Sequence, residues 1–365
     1  MGRHSLEFGS AIAINFDDPP NVVNRYFSDE FTVGWKDNSS ATPLATITFG
    51  KVPHDANAYN LGSRAGAIDG SFYITDPHRA KIAFDFSHFD RSVPLSVTAE
   101  PAISPHFLAQ FVGHLYRALA PRQQAIFIHA SGFALDQAVV LLPAWAHTGK
   151  TNTLLAYLLA GASFYGDDWC LLSQGKLIPY IKRLNLFGYN FKLYPTLRNR
   201  LSLKTKGLFH LTKTAATGLR LFERGLGAVS RFARELGKPF KNHGHVRIGL
   251  HEIIPGTTVA EAKPISHIFL LQKSSGPIGL APITLTKLIS QMLACHEYER
   301  APLREWYLKY CFLFPDRRSS YLDGLRDREE LLMKKQLAGI KTFTVSVGDG
   351  QSTETIRQII KPKLG

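Results

Sequence analysis

Three groups of residues have the types and spacing to do chemistry. Gly149, Lys150 and Thr151 stand between an apolar run, Ala138 to Pro143, and a helical pattern, Thr153 to Ala160, closed by Gly161. Asp167 and Asp168 follow a short β-like run, Ser163 to Tyr165. His129 ends an apolar run further upstream. Strand, loop, helix, strand and acidic pair form the plan of a phosphate-binding P-loop site. Backbone N–H groups of the loop Ala144, Trp145, Ala146, His147, Thr148, Gly149 would wrap a phosphate, and the helix would turn its positive end toward it. Lys150 would reach the β- and γ-phosphates, and the Thr151 hydroxyl would ligate Mg²⁺. The loop runs on into Asn152. Ala144 occupies the position where the usual pattern carries glycine, which predicts strain there if that residue needs positive φ.

Phosphoryl transfer needs positioned phosphates, neutralised charge and a carboxylate near the acceptor hydroxyl. Two adjacent acids at a strand end can point to opposite sides, so they need not share a role. A structural turn is the plain alternative for Asp167-Asp168, and a packed or capping side chain is the plain alternative for His129. His147 sits inside the loop. Glu252 and Asp316 are further acids that could serve a metal or a substrate.

With those residues in place, the stretch 124–173 resembles the catalytic domain of HPr kinase/phosphorylase, the bacterial serine kinase acting on a phosphocarrier protein. His129 upstream of the loop, Gly149-Lys150-Thr151, the helix ending at Gly161 and the Asp167-Asp168 pair carry the likeness. It is weaker from there to about residue 290 and does not cover residues 1–100. Asn152 replaces the family's acidic residue after the P-loop Ser/Thr. The resemblance implies that Asp167 is the base taking the hydroxyl proton, that Asp168 partners Mg²⁺, and that His129 sits beside the catalytic acid and tunes its proton affinity.

The elements that must position these groups read as α+β: a P-loop kinase core with a mixed sheet flanked by helices, preceded by a small β-rich region over residues 1–104. Runs at Ala11–Ile14, Phe31–Trp35, Ala45–Phe49, Ser71–Ile74 and Lys81–Phe86 are broken by Asp, Asn, Pro and Gly. His54, His78 and His88 are scattered there without metal-ligand spacing. Helical spacing predicts a helix over Pro105–Leu119, packed on the nucleotide-domain sheet. A strand over Trp169–Leu172, a turn at Gln174-Gly175 and an antiparallel return over Leu177–Ile181 follow. Further on, a strand is expected at Ile268–Leu271 and helices at Leu285–His296, Arg304–Leu313 and Arg317–Leu337. A strand at Phe343–Val347 and a helix at Thr353–Ile360 close the domain, 105–365.

The chain has 365 residues, 45% hydrophobic and 11% aromatic, enough for a sizeable core. No apolar run approaches the ~18 residues of a membrane span, and no signal-peptide pattern opens the chain. Cys170, Cys295 and Cys311 are too few for a disulfide framework. A cytoplasmic location is the expectation. The net charge of +14 belongs to one segment. Lys176 to Arg247 holds 16 Lys and Arg against two acids, and the remainder balances. This segment, inserted at about 182–247, reads as a solvated helical insertion, a cradle for an anionic substrate or a membrane-surface contact, with a helical candidate at Thr217–Leu236. No aromatic-interleaved basic motif points to nucleic acid.

The resulting expectation is an ATP- and Mg²⁺-dependent kinase that phosphorylates a hydroxyl of a protein, peptide or small molecule, with an anionic acceptor and a homo-oligomer both compatible. The alternatives are a weak or inactive ATP-binding module that uses the basic segment on an anionic partner, a P-loop carboxykinase relative, or an interaction protein with a vestigial loop.

Overall fold

The computed structural model describes residues 2–9, 12–37, 41–53, 58–62, 64–68, 70–203, 205–207, 245–348 and 353–364. His54 and the helical candidate at Thr217–Leu236 lie outside the described residues. The fold is α+β, with mixed sheets covered by helices.

The N-terminal region forms a nine-stranded sheet, larger than the small one expected. Its order is Trp35–Asp37, Arg3–Phe8, Ile12–Asp17, Ala45–Phe49, Leu95–Ala99, Lys81–Phe84, Ser71–Thr75, Ala65–Ile68 and Tyr59–Asn60. Ala45–Phe49 pairs in parallel with both neighbours, and the outer strands run antiparallel. The run Phe31–Trp35 is not a strand. A helix, Asn21–Glu30, ends there and the chain turns before pairing resumes at Trp35. The clustered aromatics Phe27, Phe31 and Trp35 pack on one another and on Phe16, which holds this corner.

The helix Pro105–Leu119 forms with the expected ends. Ser104 caps it by accepting from the Phe107 N–H, and Pro105 starts it. Its buried face, Leu108, Phe111, Val112, Leu115, Tyr116 and Leu119, shares a core with Ile47, Ile82 and Val97 of the N-terminal sheet. The Tyr116 hydroxyl donates to the Leu6 carbonyl. This corrects the expectation that the helix covers mainly the nucleotide-domain sheet, although Phe127 and Leu171 also join that core. The C-terminal helix Ala301–Leu313 adds Leu303, Tyr307 and Tyr310 to it.

The strand leading to the loop, Ala138–Pro143, is buried along its whole length. It sits inside a six-stranded sheet ordered Ser163–Gly166, Ala130–Leu135, Ala138–Pro143, His267–Lys273, Lys341–Val347 and Gly279–Pro282. The pairs Ala138–Pro143 with His267–Lys273, and His267–Lys273 with Lys341–Val347, are parallel. A strand covered on both faces needs apolar residues at every position, which explains the unbroken run. Val140 and Leu142 face the helices Lys150–Leu159 and Thr353–Ile360, while Val139 and Leu141 face the helix Leu285–Glu299.

A third sheet holds Ala125–Ile128, Cys170–Ser173, Lys176–Ile178 and Lys263–Pro264. Gln174 and Gly175 both take positive φ, 51° and 74°, as a tight two-residue hairpin requires. The return strand stops at Ile178, short of the Ile181 expected. Leu184–Phe187 pairs with His245–Ile248 and closes the base of the basic segment. The candidate helix Arg317–Leu337 is broken into Ser320–Asp323 and Leu325–Gln336 at Gly324. Among the described residues no helix is long and apolar enough to cross a membrane.

Candidate functional site

The loop leaves its strand later than the sequence suggests. Ala144 is buried and bridges in parallel to Leu271, so the strand geometry persists through it. Its φ is not positive. Left-handed backbone falls instead on His147, with φ 60°, and on Gly149, with φ 106°. The strain expected at Ala144 is therefore absent, and glycine is needed only at the last loop position. A Cβ on Gly149 would meet nothing within 4 Å, so backbone conformation rather than space selects glycine there. Gly149 caps the helix Lys150–Leu159, whose first N–H groups face the loop.

Lys150 is buried at 6% exposure. Its Nζ lies 2.9 Å from His129 Nε2 and 3.5 Å from Asp168 Oδ1. Burial, reinforced by the neighbouring Lys150 cation, pushes the His129 imidazole down to about 3. His129 is thus neutral at physiological pH and accepts from Lys150 through Nε2. Its Nδ1 is buried without a hydrogen-bond partner among the described residues.

The two acids diverge. Asp167 is 2% exposed and accepts from the Ser131 hydroxyl and from the Thr151 hydroxyl at 3.0 Å. Burial and the adjacent Asp168 raise its pKa, against the pull of Lys150 and the two hydroxyls. Asp168 sits in left-handed backbone, φ 62°, which turns its carboxylate to the other side. Lys182 Nζ is 3.8 Å from it and Asn185 Nδ2 3.5 Å. Burial resists its ionisation, but Lys182, Lys150 and His129 together hold its pKa at about 2.

A cavity of about 560 Å³ opens over this cluster. Ala146, His147, Gly149, Lys150, Thr151 and Asn152 line it from the loop and helix start, with His129 and Asp168 beside them. Asp167, Ala144, Trp145 and Thr148 do not line it. Trp145 and Thr148 line a second cavity of about 420 Å³. Glu252 pairs with Arg183 at 2.8 Å and Asp316 lies in a short 3₁₀ turn, and neither lines the site cavity. His78 and His88 do not line it either.

Several lining residues escaped the sequence reading. Lys182 and Asn185 open the basic segment, and Phe187 and Tyr189 stack at 5.5 Å to form one wall. Asn190 latches that wall to the helix by donating to Asn152 Oδ1 at 2.6 Å. Ser131 stands two residues beyond His129, in the strand Ala130–Leu135 that begins after the bend at His129. Trp169 lies against His129, His296 and the Arg117 guanidinium, 4.5 Å above its ring. Arg117 is brought from the helix Pro105–Leu119 by packing alone, with no local signal.

The donor set fits a magnesium ion. Thr151 Oγ1 and the Asp168 carboxylate line the cavity as hard oxygen donors, with Asp167 behind the Thr151 hydroxyl, and Mg²⁺ needs only one or two such ligands beside phosphates and water. Among the described residues no group of three or more His, Cys, Asp or Glu could hold a metal by itself. No protein-family model matches the chain, and no curated protein matches it.

Proposed function

We propose that the protein is an ATP-dependent phosphotransferase, akin to the HPr-kinase group, that moves the γ-phosphoryl group to a hydroxyl. One observation carries the reading: Lys150 and Thr151 open a helix behind left-handed Gly149 and touch the paired acids, Lys150 at Asp168 and Thr151 at Asp167, beside a cavity. Lys150 neutralises charge at the β- and γ-phosphates. Thr151, its hydroxyl held by Asp167, would hold Mg²⁺, which would supply the remaining neutralisation. Asp168 faces the cavity, so it orients the acceptor hydroxyl and takes its proton as the oxygen bonds phosphorus and the bridging P–O bond breaks. This exchanges the roles that the family resemblance implies for the two acids. The weak basicity of Asp168 suits a loose transition state, in which the acceptor proton leaves late. Lys182 and the basic segment favour an anionic acceptor. The same weak basicity supports a second reading, nucleotide binding without turnover.

Transfer from labelled ATP to candidate acceptors, with calorimetry of ATP·Mg²⁺ binding, tests this. Lys150→Ala loses ATP binding or turnover. Asp168→Asn keeps ATP binding and loses transfer, since its contact matters in the transition state. Asp167→Asn weakens the Mg²⁺-dependent part of binding. Unchanged affinity and turnover in Lys150→Ala would sink the phosphate-loop reading. Transfer surviving in Asp168→Asn but lost in Asp167→Asn would restore the first allocation. Binding without transfer to any acceptor supports the second reading.

A further inference from the structure

The second cavity lies on the other side of the phosphate loop from the acids. Ser163–Gly166, which leads to the acids, stands two strands from the loop strand on one side of the sheet, and His267–Lys273 stands directly on the other. The second cavity is lined by the C-terminal end of that neighbour, Leu270 to Lys273, by the helix Leu285–Glu299, and by Trp145 and Thr148 of the loop. Ala146 lines both cavities, so they meet at the loop. Ligands of open α/β sheets collect at the carboxyl ends of strands.

We propose that this second cavity holds the base of the bound nucleotide and selects one carrying a 6-amino group, adenine before guanine. The inference rests on the nucleotide reading above. In that reading the γ-phosphate lies at Lys150, His129 and Asp168, so the nucleoside leaves the loop on the opposite side. Trp145 is 47% exposed, and its ring lies 4.9 Å from that of Tyr298, itself 61% exposed. Two large rings held at the loop offer a face on which a base can stack. Gln291 supplies the recognition. Its Oε1 is buried with no hydrogen-bond partner among the described residues. The amine of adenine satisfies that oxygen while the Gln291 Nε2 donates to an adjacent ring nitrogen. Guanine brings a carbonyl oxygen to the same place and leaves the amide oxygen unpaired.

Calorimetry with ATP, GTP and inorganic tripolyphosphate tests this on the full chain. Wild type binds ATP more tightly than GTP or tripolyphosphate. Gln291→Leu weakens ATP about tenfold, removes the preference over GTP and leaves tripolyphosphate unchanged. Trp145→Ala weakens ATP and GTP together, and Trp145→Phe restores both. The proposal is overturned if Gln291→Leu and Trp145→Ala bind ATP like wild type while Lys150→Ala does not, a result that leaves the phosphate loop standing. It is equally overturned if Tyr189→Ala, on the opposite wall, is the variant that weakens ATP and spares tripolyphosphate. Wild type binding neither ATP nor tripolyphosphate instead removes the nucleotide reading itself.

Discussion

The loop has its conformational cost at His147 rather than at Ala144. A non-glycine residue at φ 60° is tolerated best by Asn, Asp and His, and still carries up to about 1–2 kcal/mol. His147→Gly is therefore expected to stabilise the protein by up to about 1 kcal/mol. Ala144→Gly acts oppositely, because a buried, extended alanine gains only chain entropy to lose, roughly 0.5–1 kcal/mol. Urea denaturation of both variants decides the matter, and a stabilising Ala144→Gly would show that the loop has another shape. Asp167 and Asp168 are neighbours in sequence with opposite environments. One φ of 62° sends Asp168 to the lysines and leaves Asp167 with two hydroxyls.

At the scale of elements, the wall Leu184–Phe187 and the short helix Gly188–Leu193 depend on one buried amide. Asn190 accepts from the Phe187 N–H at 2.6 Å while it donates to Asn152. Asn190→Ala leaves that N–H and the Asn152 oxygen without these partners, a loss of about 1–3 kcal/mol. Hydrogen exchange should then quicken at Phe187 while the helix Lys150–Leu159 stays protected. A change below the error of the denaturation, with unaltered exchange, would mean that Tyr194, which donates to the Asn152 carbonyl at 2.9 Å, holds the wall alone. The same wall belongs to the base of the basic segment. Arg183 and Arg247 pin that base to the helix Asn21–Glu30 through Asp29 and Glu30.

Across the whole molecule, buried histidines tie stability to pH. Burial, then Lys150 for His129 and Arg117 for His114, holds both at about 3. An unfolded histidine titrates near 6.5. Between those values the unfolded chain binds protons that the folded chain refuses, so stability falls as pH drops below about 6.5. Each histidine contributes about 1.4 kcal/mol per pH unit in that window. Asp167, raised by burial, works in the opposite sense near its own titration. Urea midpoints measured from pH 7.5 to 4.5 should decline, and the slope should shallow in His129→Gln and His114→Gln. A flat wild-type profile would mean that these rings accept protons without leaving the fold.

Much of this was legible in the chain itself, because the signals are local. The helix Thr353–Ile360 and the ends of Pro105–Leu119 follow from periodicity, a serine cap and a proline at the first turn. The hairpin at Gln174-Gly175 and the unbroken apolar strand Ala138–Pro143 follow from turn chemistry and burial on both faces. The closeness of Gly149, Lys150, Thr151 and Asp168 was likewise readable from their order along strand, loop and helix, whereas the place of His129 beside them came only from the family resemblance. Tertiary structure alone decided the rest. Which acid faces the cavity depends on a single backbone torsion that Asp-Asp does not encode. Where the loop begins depends on Leu271, more than a hundred residues away, extending the strand through Ala144. Lys182, Tyr189, Arg117 and Gln291 reach the site or its neighbour only because separate segments pack there, and distance in space leaves no mark on spacing in sequence.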